Sequence, residues 1–396
     1  MDRPNFPLFD CDHHYYEATD AFTRHLDPRV ARRCVQWVEI GGRQRLLVGE
    51  KVNRFIPNPT FDPVARPGCL EKFFRGENPE GHDIRTAFGE LEPIRPGYRN
   101  RVARIRDLDA QGIDGCLLFP TLGVGMEQPL SHSADLTHAA LHAFNQWLDE
   151  DWGFAYQDRL FAAPMISLMD PARAVQELEW VLERDARLVH LRAAPVPGPT
   201  RRSLGDVAYD PFWARVHEAG ITVAFHSGES GYGEYAQHWG EPADLEAFKG
   251  SPFGQVTQTD RAIYDAMAAL VIHGVFQRFP NLRVCSIENG SEWVAGLLSK
   301  MKKAWRMNVA SFAAPPLETF RRHIWVAPYF EEDTRALADL IGTDHILMGS
   351  DFPHAEGLEE PAEFVKQLEG FDAEAVRAIM YDNGRTLVTP RPASAA

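Results

Sequence analysis

The sequence has no long apolar segment and no excess of positive charge. No stretch of the 396 residues approaches the about 18 consecutive apolar residues that a membrane-spanning helix needs. Residues 1–5 do not begin a basic region followed by an apolar one, so no secretory signal is expected. The formal net charge is -15 and is spread along the chain, which disfavours nucleic acid and anionic membranes as partners. We therefore expect a cytoplasmic protein that binds a small molecule.

Two further motifs are missing. The cysteines are odd in number, are widely spaced and form no Cys-x-x-Cys pair, so reduced thiols in a reducing compartment are expected for Cys11, Cys34, Cys69, Cys116 and Cys285. No Gly-x-Gly-x-x-Gly follows the first apolar run, which argues against an open, doubly wound dinucleotide-binding sheet.

Short apolar runs alternate with helical patterns along most of the chain. Such alternation indicates a parallel sheet buried on both faces, and eight runs indicate a closed (β/α)8 TIM barrel, an α/β fold. We predict a single barrel domain over residues 1–390 with a frayed tail at 391–396. The predicted strands are 7–14, 113–120, 160–168, 188–193, 221–226, 282–288, 324–330 and 346–351.

An insertion is predicted at residues 35–100. The segment before it, from residue 15, has a helical pattern, and residues 35–48 read as a β-hairpin turning at Gly41 and Gly42. Residues 53–100 are rich in proline, glycine and charge, and so long a loop in a compact domain is usually functional. We expect the insertion to cover the C-terminal face of the barrel or to form a subunit contact.

Four of the eight runs end in residues that can bind metal or carry a proton. Catalytic groups of such barrels collect at the C-terminal ends of the strands. Each of these residues could instead have a purely structural role, as a core histidine, as a helix cap or in a turn. One metal site nevertheless accounts together for Asp12 and His14 on the first strand, His226 on the fifth and Asp351 on the eighth. The sixth run ends in Glu288.

At these residues the chain resembles the amidohydrolase-related family of the amidohydrolase superfamily, in the branch that includes aminocarboxymuconate-semialdehyde decarboxylase. The resemblance lies in residues 9–17 (FDCDHHYYE), 275–284 (VFQRFPNLRV) and 346–354 (ILMGSDFPH), and in His226. It implies that Asp12, His14 and His226 bind a metal, and that Asp351 touches the metal and takes the proton of its water.

The resemblance also implies one metal ion per chain. Binuclear relatives carry a lysine on the fourth strand, whereas residues 188–193 here read LVHLRA. Arg192 in this strand is either an anchor for an anionic group of the substrate or part of an ion pair. Most relatives have a histidine where this chain has Glu288, which could act as a general base or acid or become a further ligand. His354 could take over the role of that histidine.

These features predict a metal-dependent hydrolase that attacks an aromatic or hydrophobic carbonyl compound through a metal-bound hydroxide. Zinc is the expected metal, with manganese or iron as alternatives, and Asp351, Glu288 and His354 are the expected catalytic residues. The alternatives are a non-oxidative decarboxylase of an aromatic or unsaturated acid, and a non-catalytic metal-binding barrel. Aromatic residues such as Tyr232 and Trp239 are predicted either to bind substrate or to lie at a homodimer interface.

Overall fold

The structure is a computed structural model that describes residues 4–81, 83–198, 202–242, 246–248, 251–391 and 393. Of the tail predicted at 391–396, all but residues 391 and 393 lies outside the described residues.

The described residues form ten regular strands, and seven of them make up two parallel sheets. One sheet has the order β1-β5-β6 and the other the order β7-β8-β9-β10, so neighbours in space follow one another along the chain. The remaining three strands, β2, β3 and β4, form a small antiparallel sheet. The bounds are β1 Leu8–Tyr15, β2 Val35–Ile40, β3 Arg43–Val48, β4 Lys51–Val52, β5 Ile113–Pro120, β6 Leu160–Ala162, β7 Leu188–His190, β8 Thr222–His226, β9 Arg283–Ile287 and β10 Ile324–Val326.

Isolated parallel bridges connect the two sheets at both sides. Met165, just after β6, bridges to His190 at the end of β7. On the other side residues 346–352 run between β10 and β1, with bridges from Ile346 to Val326 and from Phe352 to His13. This order and direction confirm the predicted TIM barrel. The eighth predicted strand, residues 346–351, is joined to its neighbours by isolated β-bridges and does not form a regular ladder.

Helices on the outside follow the parallel strands. The helix before β5 spans Arg101–Gln111: the Asn100 side chain accepts a hydrogen bond from the Ala103 amide at its start, and Gly112 ends it with φ 70°. The α-helices are Pro28–Ala31, Glu71–Phe74, Ile84–Ala87, Arg101–Gln111, Glu127–Leu130, Ala134–Asp151, Pro171–Leu182, Asp210–Ala219, Gly233–Ala236, Pro252–Gln258, Arg261–Ile272, Val275–Arg278, Glu292–Met307, Pro316–His323, Thr334–Ile341, Ala373–Arg377 and Asn383–Val388.

The helix predicted from residue 15 is wrong, whereas the hairpin after it is confirmed. Turns occupy most of residues 19–27, and the only helix between residue 4 and β2 is the single turn Pro28–Ala31. Asp27 accepts a hydrogen bond from the Arg29 amide just before Pro28, which favours a short capped turn over a continuous helix. Ile40 pairs with Arg43 across the predicted Gly41-Gly42 turn.

The insertion is attached to the C-terminal end of the barrel. The Gly68 amide donates to the His354 carbonyl at 3.1 Å, and the Leu70 amide donates to the Ala355 carbonyl at 2.8 Å. The insertion is thereby attached to the loop that follows residues 346–352. The interior of the barrel below is filled by a compact apolar cluster that includes Phe9, Phe119, Phe161 and Ile287.

The described part of the chain holds no helix with the length and apolarity needed to cross a membrane. The five cysteines are free thiols, and all but Cys69 are buried.

Candidate metal centre

The first strand supplies Asp12 and His14, both almost fully buried. Residues two apart on a strand share a face, so both side chains point into the mouth of the barrel. Nε2 of His14 lies 3.3 Å from Oδ1 of Asp12. The pairing of β1 with β5 is irregular between Asp10 and His13, and a register irregularity of this kind re-aims side chains at the end of a strand.

Asp10 and His13 belong to a separate buried network. Asp10 accepts hydrogen bonds from the Ser350 hydroxyl at 2.5 Å and from the Ser350 amide at 3.0 Å. Arg104 donates to Nδ1 of His13 at 3.0 Å, which leaves the proton of the neutral imidazole on Nε2, 3.1 Å from Oδ2 of Asp10. Arg104 also donates to the His14 carbonyl at 2.7 Å. This network therefore fixes the backbone at the end of β1.

His226 and Glu288 come from the ends of the neighbouring strands β8 and β9. Nε2 of His226 lies 2.9 Å from Oε2 of Glu288, 3.2 Å from Nε2 of His14 and 3.4 Å from Oδ1 of Asp12. Nδ1 of His226 lies 2.8 Å from the Ser227 carbonyl, which only accepts hydrogen bonds. In a neutral His226 the lone pair of Nε2 therefore faces the cluster.

Asp351, near the end of residues 346–352, and His354, in the loop after them, complete the cluster. Oδ1 of Asp351 lies 3.3 Å from Nε2 of His14 and 2.6 Å from Nδ1 of His354. The Thr121 hydroxyl donates its single proton to the Tyr15 carbonyl, so it accepts from Nε2 of His354 at 2.9 Å. This hydrogen-bond network assigns the lone pair of a neutral His354 to Nδ1, the atom that faces Asp351.

Two of the carboxylates lie on a strained backbone. Glu288 has φ 53° and Asp351 has φ 57°, in the left-handed region that non-glycine residues rarely adopt. Such a conformation costs about 1–3 kcal/mol and is concentrated at functional sites. Packing around the cluster therefore holds both side chains where the local backbone alone would not place them.

The six side chains fit a divalent metal ion. Their donor atoms fall into two overlapping groups, Asp12-His14-His226-Glu288 and His14-Glu288-Asp351-His354, each within 4.8 Å. Among the described residues, no hydrogen-bond partner satisfies the buried Oδ1 of Asp12, Oε2 of Glu288, Oδ1 of Asp351 and Nδ1 of His354. Carboxylate oxygens and imidazole nitrogens that converge in this way form a ligand set suited to a divalent cation.

The electrostatics of the cluster lead to the same conclusion. Burial acts to lower the pKa of His226, but the Glu288 carboxylate overrides it and raises that pKa to about 10. Burial, with the Glu288 carboxylate, raises the pKa of Asp351 well above its ordinary value. Both shifts show that the closely spaced carboxylates of the cluster favour a bound positive charge, whether that of a proton or that of a metal ion.

A cavity of about 530 Å³ opens above the cluster. His14, His226, Glu288 and His354 form its floor, and most of its wall is apolar. The insertion supplies much of this wall, namely Phe55, Ile56, Pro57, Asn58, Phe61, Pro63, Val64, Ala65, Ile84, Phe88 and Leu91. The position of these residues agrees with the prediction that the insertion covers the C-terminal face.

The predicted substrate-binding residues do not line this cavity. Arg192 hydrogen-bonds to Gln128 and lies 3.9 Å from the Glu127 carboxylate, so it takes part in the ion pair that the sequence offered as its alternative. Tyr232 donates to Asp265 at 2.8 Å, and Trp239 is 63% exposed. Their assignment to substrate stays a prediction.

Sequence analysis missed Thr121 and Glu356. Thr121 directly follows β5, so its position at a strand end was an available signal. Glu356 lies in the loop after residues 346–352 and lines the cavity, but no pattern in the sequence distinguishes it from other loop carboxylates.

Fold and site together define a (β/α)8-barrel enzyme with a metal centre at the C-terminal ends of its strands. The amidohydrolase family profile matches residues 9–388, and the chain belongs to this family. The resemblance noted in the sequence is thus confirmed. Members of the superfamily are metal-dependent enzymes, both hydrolases and decarboxylases, and this membership argues against a non-catalytic barrel.

Solved structures extend the comparison. An amidohydrolase from Mycobacterium avium subsp. paratuberculosis K-10 is 48% identical over 97% of this chain and 100% of that one, with a TM-score of 0.92. A manganese-bound dihydroxybenzoic acid decarboxylase from Polaromonas sp. JS666 is 18% identical over 81% and 93%, with a TM-score of 0.55. A manganese-bound 5-carboxyvanillate decarboxylase from Novosphingobium aromaticivorans DSM 12444 is 14% identical over 97% and 96%, with a TM-score of 0.59. At such low identity the two decarboxylases show the common fold alone.

Proposed function

We propose that the protein hydrolyses a small, uncharged, hydrophobic or aromatic carbonyl compound with the help of one divalent metal ion. The observation that carries this proposal is the position of the six-residue cluster at the floor of the apolar cavity. Among the described residues that line this cavity, none is lysine or arginine. A substrate with a second anionic group would therefore meet carboxylates without a compensating cation.

The residues of the cluster divide into those that would bind the metal ion and those that would handle a proton. Asp12, His14, His226 and Glu288 would hold the ion, with Asp351 and His354 at its other side. When bound, a divalent ion acts as a Lewis acid on a carbonyl and lowers the pKa of a coordinated water from 15.7 to about 7. Oδ1 of Asp351 would accept a proton at this site, because Nδ1 of His354 lies 2.6 Å away and can share it. The apolar wall excludes competing water.

Zinc stays our first expectation for the metal. Three imidazoles suit zinc, whereas three carboxylates in the same set also suit manganese. Manganese is bound in the Polaromonas and Novosphingobium decarboxylases.

Decarboxylation of an aromatic acid is the second candidate. It is supported by the shared fold of those two decarboxylases, one solved with 2-nitroresorcinol and the other with 4-hydroxy-3-methoxy-5-nitrobenzoic acid. In such a reaction the substrate carboxylate would have to bind directly to the metal, because the described cavity wall offers it no arginine or lysine. Glu288 and Glu356 act against an anionic substrate, and we therefore rank this reaction second.

A metal and turnover assay tests the proposal. The metal content of protein purified without chelator is measured by plasma mass spectrometry, beside an Asp12→Ala/His226→Ala double variant. Aryl esters, β-diketones and hydroxybenzoates are then screened with the loaded protein, with Asp351→Asn as the control that lacks the proton acceptor. We expect about one ion per chain, lost in the double variant, and incorporation of ¹⁸O from labelled water into the product acid.

Two outcomes would contradict the proposal. Release of carbon dioxide from a hydroxybenzoate without any ester turnover would favour the decarboxylase. Absence of metal, even after incubation with zinc or manganese, would remove the basis of both candidates.

A further inference from the structure

The Glu356 carboxyl group lines the substrate cavity without a side-chain partner. It borders the same cavity as His14, His226 and Glu288 but belongs to neither group of convergent metal-binding atoms. Among the described residues its only hydrogen bond comes from its own backbone amide, it forms no ion pair, and the cavity wall there contains no lysine or arginine. A carboxyl group with so few hydrogen bonds at an apolar wall is costly, which indicates that a ligand supplies a further partner.

Three other polar residues of the wall are bonded to the rest of the protein. The Tyr16 hydroxyl donates to the Pro353 carbonyl at 3.2 Å, and the Asn58 amide donates to the Pro63 carbonyl at 3.1 Å. The Thr121 hydroxyl contacts both the Tyr15 carbonyl and His354. Glu356 differs from these three residues because its carboxyl group is bonded only by its own backbone amide and keeps most of its hydrogen-bonding capacity for a ligand.

The backbone around Glu356 is held on both sides. The Leu358 amide donates to the Ser350 carbonyl at 2.8 Å, and the Leu70 amide donates to the Ala355 carbonyl at 2.8 Å. These bonds attach the loop to the barrel on one side and to the insertion on the other. Glu356 is therefore presented to the cavity by a constrained loop, as expected of a group that positions a ligand.

We propose that Glu356 is a specificity-determining residue that binds a hydroxyl group of the substrate while the carbonyl of the same substrate reaches the metal cluster. This inference rests on the proposed function and narrows its substrate class to uncharged hydroxy-substituted aromatic carbonyl compounds. A hydroxyl is the suitable partner because it can donate to a carboxylate and accept from a carboxylic acid. The surrounding wall, with Phe61 and Phe88, suits the aromatic body between the two ends.

Binding of hydroxamates to the metal-loaded protein tests this inference without any need for turnover. Benzohydroxamic acid chelates divalent metals through its carbonyl group, and its ring can carry a hydroxyl, a methyl or an aminomethyl group at position 3 or 4. Dissociation constants of these probes are measured by calorimetry for the wild type and for the Glu356→Leu, Glu356→Gln and Glu359→Leu variants. Glu359 is exposed and serves as the matched control.

We expect the wild type to bind the better hydroxy probe about 10-fold more tightly than the methyl probe, as a hydrogen bond to a carboxylate would produce. The affinity for the hydroxy probe relative to that for the methyl probe should fall to about 1 in Glu356→Leu. It should stay partly raised in Glu356→Gln and be unchanged in Glu359→Leu. Each ratio is taken within one protein, so a general loss of affinity does not affect it.

Three results would overturn the inference. One is an equal affinity of the wild type for hydroxy and methyl probes, and another is a hydroxyl preference that survives in Glu356→Leu. The third is a clear preference for the aminomethyl probe over the hydroxy probe, which would assign Glu356 to a cationic substrate. Failure of unsubstituted benzohydroxamic acid to bind the loaded wild type would instead count against the metal site and the proposed function.

Discussion

Oε2 of Glu288 lies 2.9 Å from Nε2 of His226, and the two residues end neighbouring parallel strands. The family resemblance predicts a histidine at this position, where the chain has Glu288. The contact places the carboxylate among the convergent metal-binding atoms, within 3.2 Å of Nε2 of His14. An ionised glutamate there adds a negative charge to the centre, and the affinity and selectivity for the ion should depend on it.

Replacement of Glu288 by glutamine should weaken metal binding. The amide keeps the shape of the side chain but removes its negative charge, so we expect the affinity for zinc or manganese to fall by at least about 10-fold. Competition with a chromogenic chelator measures this change. Glu292→Gln, at an exposed position nearby, is the matched control. An unchanged affinity in Glu288→Gln would mean that the carboxylate is not a ligand.

Removal of the Thr121 hydroxyl should impair turnover. Thr121→Val leaves Nε2 of His354 without its acceptor, and loss of such an orienting partner typically lowers activity by about 10–100-fold. Thr121→Ser retains the hydroxyl and should stay close to the wild type. Turnover of the ester identified in the screen is measured for both variants. Equal losses in the two variants would exclude the hydrogen bond as the cause.

Replacement of Arg104 by methionine should destabilise the fold. Arg104 is fully buried, and its removal leaves Nδ1 of His13 and the His14 and Gly97 carbonyls without a donor. Each orphaned buried acceptor costs about 1–3 kcal/mol, so we expect the free energy of unfolding to fall by about 3 kcal/mol or more. Urea unfolding at saturating metal measures this loss. The exposed Arg106→Met should change little, and a similar loss there would contradict the explanation.

A methyl group at Gly349 should displace a metal ligand. A Cβ added at this position would lie 2.8 Å from the Cβ of Asp12, closer than such atoms normally approach. We expect Gly349→Ala to lose most of its metal and about 1–3 kcal/mol of stability. Metal content and thermal unfolding are the measurements. At Gly296 an added Cβ meets its nearest neighbour at 3.9 Å, so Gly296→Ala should retain its metal. Full metal occupancy in Gly349→Ala would show that Asp12 can move freely.

Part of the site follows from local patterns, and part does not. Asp12 and His14 could be placed on one face because strand residues two apart point the same way. The same rule also puts Asp10 on that face, but the irregular pairing in β1 allows Asp10 to contact Ser350 instead. Sequence periodicity does not reveal such an irregularity, since it depends on how the partner strand packs.

The aromatic residues of the cavity also show how far sequence patterns predict the site. The sequence predicted aromatic contacts at the barrel mouth and drew attention to Tyr232 and Trp239. In the structure the wall is formed by other aromatic side chains, among them Phe55, Phe61 and Phe88 of the insertion. Composition indicated an apolar cover, whereas the path of the insertion over the barrel decides which of its side chains face the cavity.

The sequence by itself determined the barrel, the family and the strand ends that carry the metal-binding residues. These properties depend on apolar periodicity and on short motifs, which are local. Tertiary structure alone decided which of the sequence's options Glu288 and His354 take, that Thr121 orients His354, and that the Glu356 carboxyl group faces the cavity without a side-chain partner. Each of these contacts joins residues from different strands or loops, and their distances are set by the packing of the whole barrel and not by neighbours in the chain.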